Sequence, residues 1–431
     1  MTTHRVMPRE RARVREPVAA PHKGPVLDET LPLLLDPYRF IGDRARRLGS
    51  DVFETRLMLR RTVCMTGAEA AELFYDPELF VRHGAAPRRL QVTLFGRNGV
   101  QALDGEVHRA RKAMFMSLMG REGRDRLTEL AGRRWRERIS QWERMPRVVL
   151  YEEVSRLLCQ AACEWTGVPL PPARVPAVTA TIQAAIEGAG GLGARYLRGR
   201  YARIKGDLWL SGLIRCARDN PRRFDDTVTG LIARYRDPGG ALLPVRTAAV
   251  ELHNVLRPTV AVARFVTFAA MALHTHPEYY ERIREGDEPF VEHFVQEVRR
   301  FYPFFPFVAA KAARPFTWHG EHFPEGRRTL LDLYGIDHDP RLWDRPDEFR
   351  PERFAEWDGG EYDFVPQGGG DHYEGHRCPG EWLTIDLMKL AVTALTRWMT
   401  YGVPAQDLRM PPWRAPAIPN SRFVIDQVAA G

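Results

Sequence analysis

The residues best able to do chemistry lie near the C-terminus, where 364–383 reads FVPQGGGDHYEGHRCPGEWL. A glycine-rich loop leads to Cys378, and Pro379 then opens a strongly helical run. Proline suits the first helical position, because its missing N–H would lack a partner there anyway. Cys378 is therefore expected just before a helix, with free N–H groups and the positive dipole end beside its sulfur, an environment that favours thiolate. A phosphate loop would need GxxxxGK followed by Ser or Thr, whereas Asp371 follows these glycines and no lysine precedes the helix. Zinc could draw on His372, His376 and Cys378, but no second group with ligand spacing accompanies them. A buried structural cysteine is a further reading. A thiolate ligand to haem iron accounts best for the glycines, since backbone must come close to a flat macrocycle and hydrogen-bond the sulfur.

The elements that must position this loop are mostly helical. Helix is expected over 68–74, 105–119, 124–143, 150–167, 245–276, 289–301 and 380–399, with a hairpin-like pattern at 52–65 and a second β region at 308–334. The segment 245–276 far exceeds the usual helix of about 11 to 12 residues. It carries a 3.6-residue stripe through Leu252, Val255, Leu256, Thr259, Val260 and Ala263. Pro258 falls in its middle and is expected to remove a hydrogen bond and kink it, and Arg257 beside it is hard to place in a core.

Composition bounds the class. With 431 residues, 44% hydrophobic and 27% charged, the chain is an ordinary globular one, which excludes disordered and fibrous classes. Five scattered cysteines give no disulfide framework and point to a reducing compartment, the cytoplasm. The 58 arginines and 5 lysines are mixed with 55 acids rather than gathered into a patch, so nucleic acid is not an expected partner. No run reaches the roughly 18 uncharged apolar residues a membrane span needs. The leader 1–26 holds Arg5, Arg9, Arg11, Arg13 and Arg15 with interspersed acids and prolines and lacks a signal peptide's apolar run. It is expected to be a disordered tail, with 27–431 as one domain.

Three marks in order then give the chain a resemblance to the cytochrome P-450 superfamily. Glu297 and Arg300, three apart on one helix face, match the family's Glu-x-x-Arg; Arg353 matches the arginine completing that ion-pair network; Cys378 with Gly380 matches the thiolate loop. The departures are equally informative. The usual loop has phenylalanine seven residues and glycine four residues before the cysteine, where this chain has Asp371 and Glu374, and the usual acid–threonine pair of the long central helix is replaced by Leu256-Arg257-Pro258-Thr259-Val260. These departures, with LFGRNGVQALDGEVH (94–108), FVQEVRRFYPFFP (294–306) and the cysteine loop, resemble the bacterial fatty-acid peroxygenase branch, from about Leu31 to the C-terminus.

The resemblance implies a mainly α protein with a small β portion, the cytochrome P-450 fold, binding haem b through Cys378. It implies peroxide-dependent hydroxylation of long-chain fatty acids at Cα or Cβ, with terminal alkene as a minor product and no reductase partner. Arg257 and Pro258 would serve catalysis, with the substrate carboxylate on Arg257 supplying the acid–base group that neither residue can provide. Gln101 stands where a histidine is associated in the family with more decarboxylation. Leu94, Phe95, Phe304 and Phe307 would line the substrate tunnel, and His108, Lys112 and His376 would hold the haem propionates. The competing functions are a dioxygen-dependent monooxygenase with redox partners and a haem-binding sensor or fatty-acid carrier.

Overall fold

The computed structural model describes residues 27–431; the arginine-rich leader lies outside the described residues. Helix accounts for 55% and strand for 12%, so the mainly α expectation holds. The hairpin forms from β1 (Val52–Leu57) and β2 (Arg60–Met65), in register from Val52↔Met65 to Leu57↔Arg60. Its two-residue turn is Met58 and Leu59, at φ 52° and 61°, a left-handed geometry that Asn-Gly would have announced. Asp28 holds it, accepting the Leu59 N–H at 2.6 Å.

Further strands are β3 (Phe80–Val81), β4 (Val148–Val149), β5 (Phe307–Ala312), β6 (Phe316–Trp318), β7 (Glu321–Phe323) and β8 (Arg328–Asp332). β1, β2, β3, β5 and β8 form a five-stranded sheet of order β1-β2-β8-β5-β3, and β6 and β7 pair with each other. The expected second β region stops short of 334. Asp332 caps a short helix, Leu333–Asp337, by accepting the Gly335 N–H at 2.9 Å.

The helices include α1 (Phe40–Leu48), α2 (Ala68–Tyr75), α3 (Gly105–Leu118), α4 (Arg121–Trp142), α5 (Leu150–Thr166), α6 (Val175–Gly188), α7 (Gly193–Asp219), α8 (Val245–Thr275), α9 (Glu288–Phe301) and α10 (Glu381–Thr393). Neither α6 nor α7 is legible from pattern, since α7 mixes arginines and glycines along its length. Packing rescues it. A Cβ on Gly188 would lie 2.6 Å from the Gly199 Cα, so glycines let α6 and α7 touch backbone to backbone.

α8 is the core. It is buried on nearly every face, as expected of a helix apolar all round. By length and apolarity it would pass for a membrane span, but 94% of its most apolar stretch is buried within the protein. Pro258 does not break it: the helix runs unbroken from Val245 to Thr275. Proline has no N–H to give, so the Asn254 carbonyl loses its helical donor, while dense packing on both sides holds the flanking turns in the helix.

The structure brings Glu297, Arg300 and Arg353 together. Glu297 takes a two-point contact from Arg300 at 2.7 and 2.8 Å and a third from Arg353 at 3.2 Å. Arg300 also donates to the Asp337 and Pro346 carbonyls at 2.7 and 3.0 Å, and Arg353 to that of Asp344 at 2.7 Å. The trio thus ties α9 to the long loop that leads toward Cys378. Glu297→Gln leaves buried guanidinium charge uncompensated and is expected to cost about 3 to 5 kcal/mol, read as a lowered urea midpoint.

Candidate functional site

The loop before α10 is shaped by glycine. Gly368 and Gly370 have φ of 96° and 77°, and a Cβ on Gly368 would press on the Tyr75 hydroxyl at 3.0 Å. The Cys378 N–H donates to the Gln367 carbonyl at 3.1 Å, and the Cys378 carbonyl accepts the Glu381 N–H at 3.3 Å. Gly380 is the N-cap and Glu381 the first helical residue, so Pro379 sits in a turn before the helix rather than opening it. Burial raises the Cys378 pKa, against the expectation of a spontaneously favoured thiolate. The Gly380 N–H, Lys112 and the Gln367 side chain only partly oppose it. A metal cation deprotonates a coordinating thiol outright, so thiolate here depends on bound iron more than on the helix end.

Beneath the loop is a buried ion cluster that sequence reading missed. Glu381 pairs with Arg299 and accepts from Arg377 Nε at 2.6 Å; Arg299 also donates to Gln367 Oε1 at 3.2 Å. Burial would raise the Glu381 pKa, yet Arg299, His372 and Arg377 hold it well below the ordinary range. The available signal was Arg299, the first arginine of Glu297-Val298-Arg299-Arg300.

His108, Lys112 and His376 come together on one side of the loop. The His108 and His376 rings stack at 3.9 Å, and His376 Nε2 is 3.8 Å from Asp104. Lys112 donates to the Arg377 carbonyl and has no ion-pair partner among the described residues. Burial lowers their pKa values, to about 3 for His108, about 4 for His376 and about 8 for Lys112. A buried ammonium without a carboxylate is costly. The site therefore fits haem: a soft sulfur donor, close glycine backbone, and buried basic groups that a ligand bearing carboxylates would satisfy.

On α8, Arg257 is 5% exposed and makes no hydrogen bond or ion pair among the described residues; its Nε is buried without a partner. Burial and then the charge of Arg203 push its pKa down to about 9, while Cys378 and Asp207 act the other way. Fold thus brings Arg257 within electrostatic reach of the thiol. Three residues earlier, Asn254 donates to Gln101 Oε1 at 3.3 Å and to Glu251 at 3.1 Å, and Glu251 takes Arg111 at 2.5 Å. With its oxygen so held, Gln101 has its NH2 group left for other acceptors. The Thr259 hydroxyl is spent on the Val255 carbonyl at 2.9 Å.

The apolar candidates divide. Leu94 and Phe95 end a π-turn, Gln91–Phe95, whose last carbonyls accept from Arg203 at 2.7 and 3.5 Å. Phe304 stacks on Phe265 of α8 at 4.5 Å. Phe307 packs instead in a separate apolar cluster with Phe40, Ile41, Phe53 and Leu57. Cys159 and Cys163 are buried core residues on α5, and all five cysteines are unpaired.

The family model for cytochrome P-450 matches residues 265–411. Among solved structures, cytochrome P450SP alpha in complex with (R)-ibuprophen is 47% identical, with 94% of this chain and 99% of that one covered and a TM-score of 0.91. Cytochrome P450EX alpha with myristic acid is 42% identical, with 96% and 100% covered and a TM-score of 0.91. Cytochrome P-450 4A24 of Sus scrofa is 32% identical over 150 residues, covering 30% of this chain and 29% of that protein, so likeness to that curated relative is confined to under a third of its length. Whole-length identity above two-fifths, together with a half-buried cysteine on a glycine loop and a buried arginine without an ion-pair partner among the described residues, leads to one assignment: the chain belongs to the cytochrome P-450 superfamily, in its fatty-acid peroxygenase branch.

Proposed function

We propose that this chain uses hydrogen peroxide, without a reductase, to hydroxylate long-chain fatty acids at Cα or Cβ, releasing some terminal alkene. The observation that carries this is Arg257, a buried guanidinium with no carboxylate of its own, within reach of the Cys378 thiol. Haem held by Cys378, with His108, Lys112 and His376 at its propionates, supplies O–O cleavage and oxygen transfer to a C–H bond. One peroxide oxygen enters that bond and the other leaves as water.

The remaining work belongs to the chain and its substrate. Arg257 stays protonated and has no lone pair to accept a proton, and Pro258 offers neither donor nor acid. A fatty-acid carboxylate gripped by Arg257 in a two-point bond supplies the missing base and takes the peroxide proton. The same grip leaves only the first carbons beyond the carboxylate in reach, which sets attack at Cα or Cβ by proximity. Leu94, Phe95 and Phe304 wall off water along the chain. A dioxygen-dependent monooxygenase would need an acid beside a free threonine hydroxyl, whereas here Arg257-Pro258 precede a Thr259 already bonded to Val255. We place the activity in the cytoplasm, in keeping with five unpaired cysteines.

Purified haem-loaded protein incubated with myristate and hydrogen peroxide is expected to yield 2- or 3-hydroxymyristate with no reductase present. Absence of hydroxy acid would overturn the reading. Gln101→His, which places a group that can take up a proton, is expected to raise the alkene share of the products, measured by gas chromatography. An unchanged share removes Gln101 from the chemistry.

A further inference from the structure

Arg257 lacks a carboxylate although one lies within electrostatic reach. Asp207 of α7 gives its oxygens elsewhere: Arg203 Nε lies 2.9 and 3.0 Å from the two of them, and His253 Nδ1 lies 2.8 Å from Oδ1. Both captors are anchored, at 1% and 2% exposure. Arg203 also holds the Leu94 carbonyl at 2.7 Å, and a Cβ on Gly206 would collide with the His253 ring at 2.7 Å, so neither has room to swing.

The protonation of this group follows from its surroundings. Burial and the Arg203 charge lower the His253 pKa to about 4, although Asp207 opposes them. His253 is therefore neutral, and facing an acceptor-only carboxylate its Nδ1 must be the nitrogen that carries hydrogen. His253 stands one helical turn before Arg257, on the same face of α8. Asp207 balances Arg203, which leaves one uncompensated positive charge, on Arg257. With His253 bonded to Asp207 and one helical turn from Arg257, the Asp207 carboxylate is a candidate partner for that guanidinium unless it is held elsewhere.

We propose that Arg203 and His253 sequester Asp207 and so keep Arg257 unpaired for a substrate carboxylate, which makes them positioning residues that set fatty-acid affinity without touching the fatty acid. The proposal rests on reading Arg257 as the carboxylate anchor. It predicts that loosening Asp207 creates an internal competitor for that anchor, and that removing the Asp207 charge cures the defect.

The test titrates haem-loaded protein with myristate, following the change in haem absorption, for wild type, His253→Phe, Asp207→Asn, the double variant and Arg257→Leu. If freed Asp207 occupies Arg257 in about nine-tenths of molecules, the apparent Kd of His253→Phe rises about tenfold. Adding Asp207→Asn is expected to bring it back to within about threefold of wild type, because an amide does not neutralise Arg257. Asp207→Asn alone is expected to bind at least as tightly as wild type. It changes one side-chain atom at a position 28% exposed, so it remains informative should His253→Phe fail to load haem. A His253→Phe loss that Asp207→Asn leaves uncured marks a packing role and overturns the proposal, as does wild-type affinity in His253→Phe or a tenfold weaker Asp207→Asn. Arg257→Leu separates the two levels: if it binds myristate like wild type, the anchor reading itself fails. If Arg257→Leu loses binding while the His253 and Asp207 variants miss their expected values, only the sequestration fails.

Discussion

Arg257→Leu is expected to abolish saturable myristate binding and to lower peroxide-driven turnover by about 10²- to 10⁴-fold, the range that a lost acid–base group commands. Both effects have one origin. Leucine fills much of the same volume and suits a buried helix face, so α8 should persist, but it offers the carboxylate no charge-assisted fork. Without that fork the proton acceptor is no longer held in place, and the first carbons of the chain lose their register. Arg257→Lys restores charge but not planar two-point recognition, and is expected to fall between the two, with a less selective split of Cα and Cβ products. Steady-state kinetics with product analysis reads both quantities. Turnover and regiochemistry unchanged in Arg257→Leu would assign the proton step to another group.

Cys378→Ala is expected to lose turnover altogether, together with the absorption of the reduced carbon monoxide complex that marks thiolate haem. The lost group is small and the loop has other supports: the Cys378 backbone bonds to Gln367 and Glu381 do not involve sulfur, and Glu381 stays held by Arg299 and Arg377. The fold is thus expected to survive, and circular dichroism should match the wild type. Haem is expected to be retained without the Cys378 sulfur if His108, Lys112 and His376 hold its propionates as proposed, which makes the carbon monoxide spectrum a sharper readout than haem content. A thiolate spectrum in this variant would place the ligand on another cysteine, for which Cys64, Cys159 and Cys163 are too deeply buried in apolar clusters.

How much of this was legible before folding differs by element. The hairpin at 52–65 and the helices around 105–118, 150–166 and 288–301 follow from residue pattern, although only 105–118 of these helices buries one face and exposes the other; 150–166 and 288–301 are buried or half-buried on nearly every side. The α6–α7 pair does not, because its stability comes from glycine-mediated contact between the two helices rather than from a stripe in either one. Pro258 shows the reverse: a local rule predicts a break in the helix, and in the tightly packed core that surrounds α8 the helical assignment runs through it without interruption.

The same division runs through the site. Sequence alone determined the ligand cysteine, the glycine loop beside it, the Glu297–Arg300 pair and the presence of Arg257-Pro258 in the long helix, because these depend on residue type at short spacing; Arg353, 53 residues beyond Arg300, was reached only through the family resemblance. Tertiary structure alone decided which charges are neutralised. It sent Asp207 to His253, Glu251 to Arg111 and Glu381 to Arg299, adding to the local contacts each carboxylate makes within its own turn of chain, and it left Arg257 unpaired among the described residues. It also reversed the expected ease of ionising Cys378, since burial opposes the charge more strongly than the turn's N–H supports it. Electrostatic energies depend on distance and desolvation, and both are set only when helices distant in sequence close around one another.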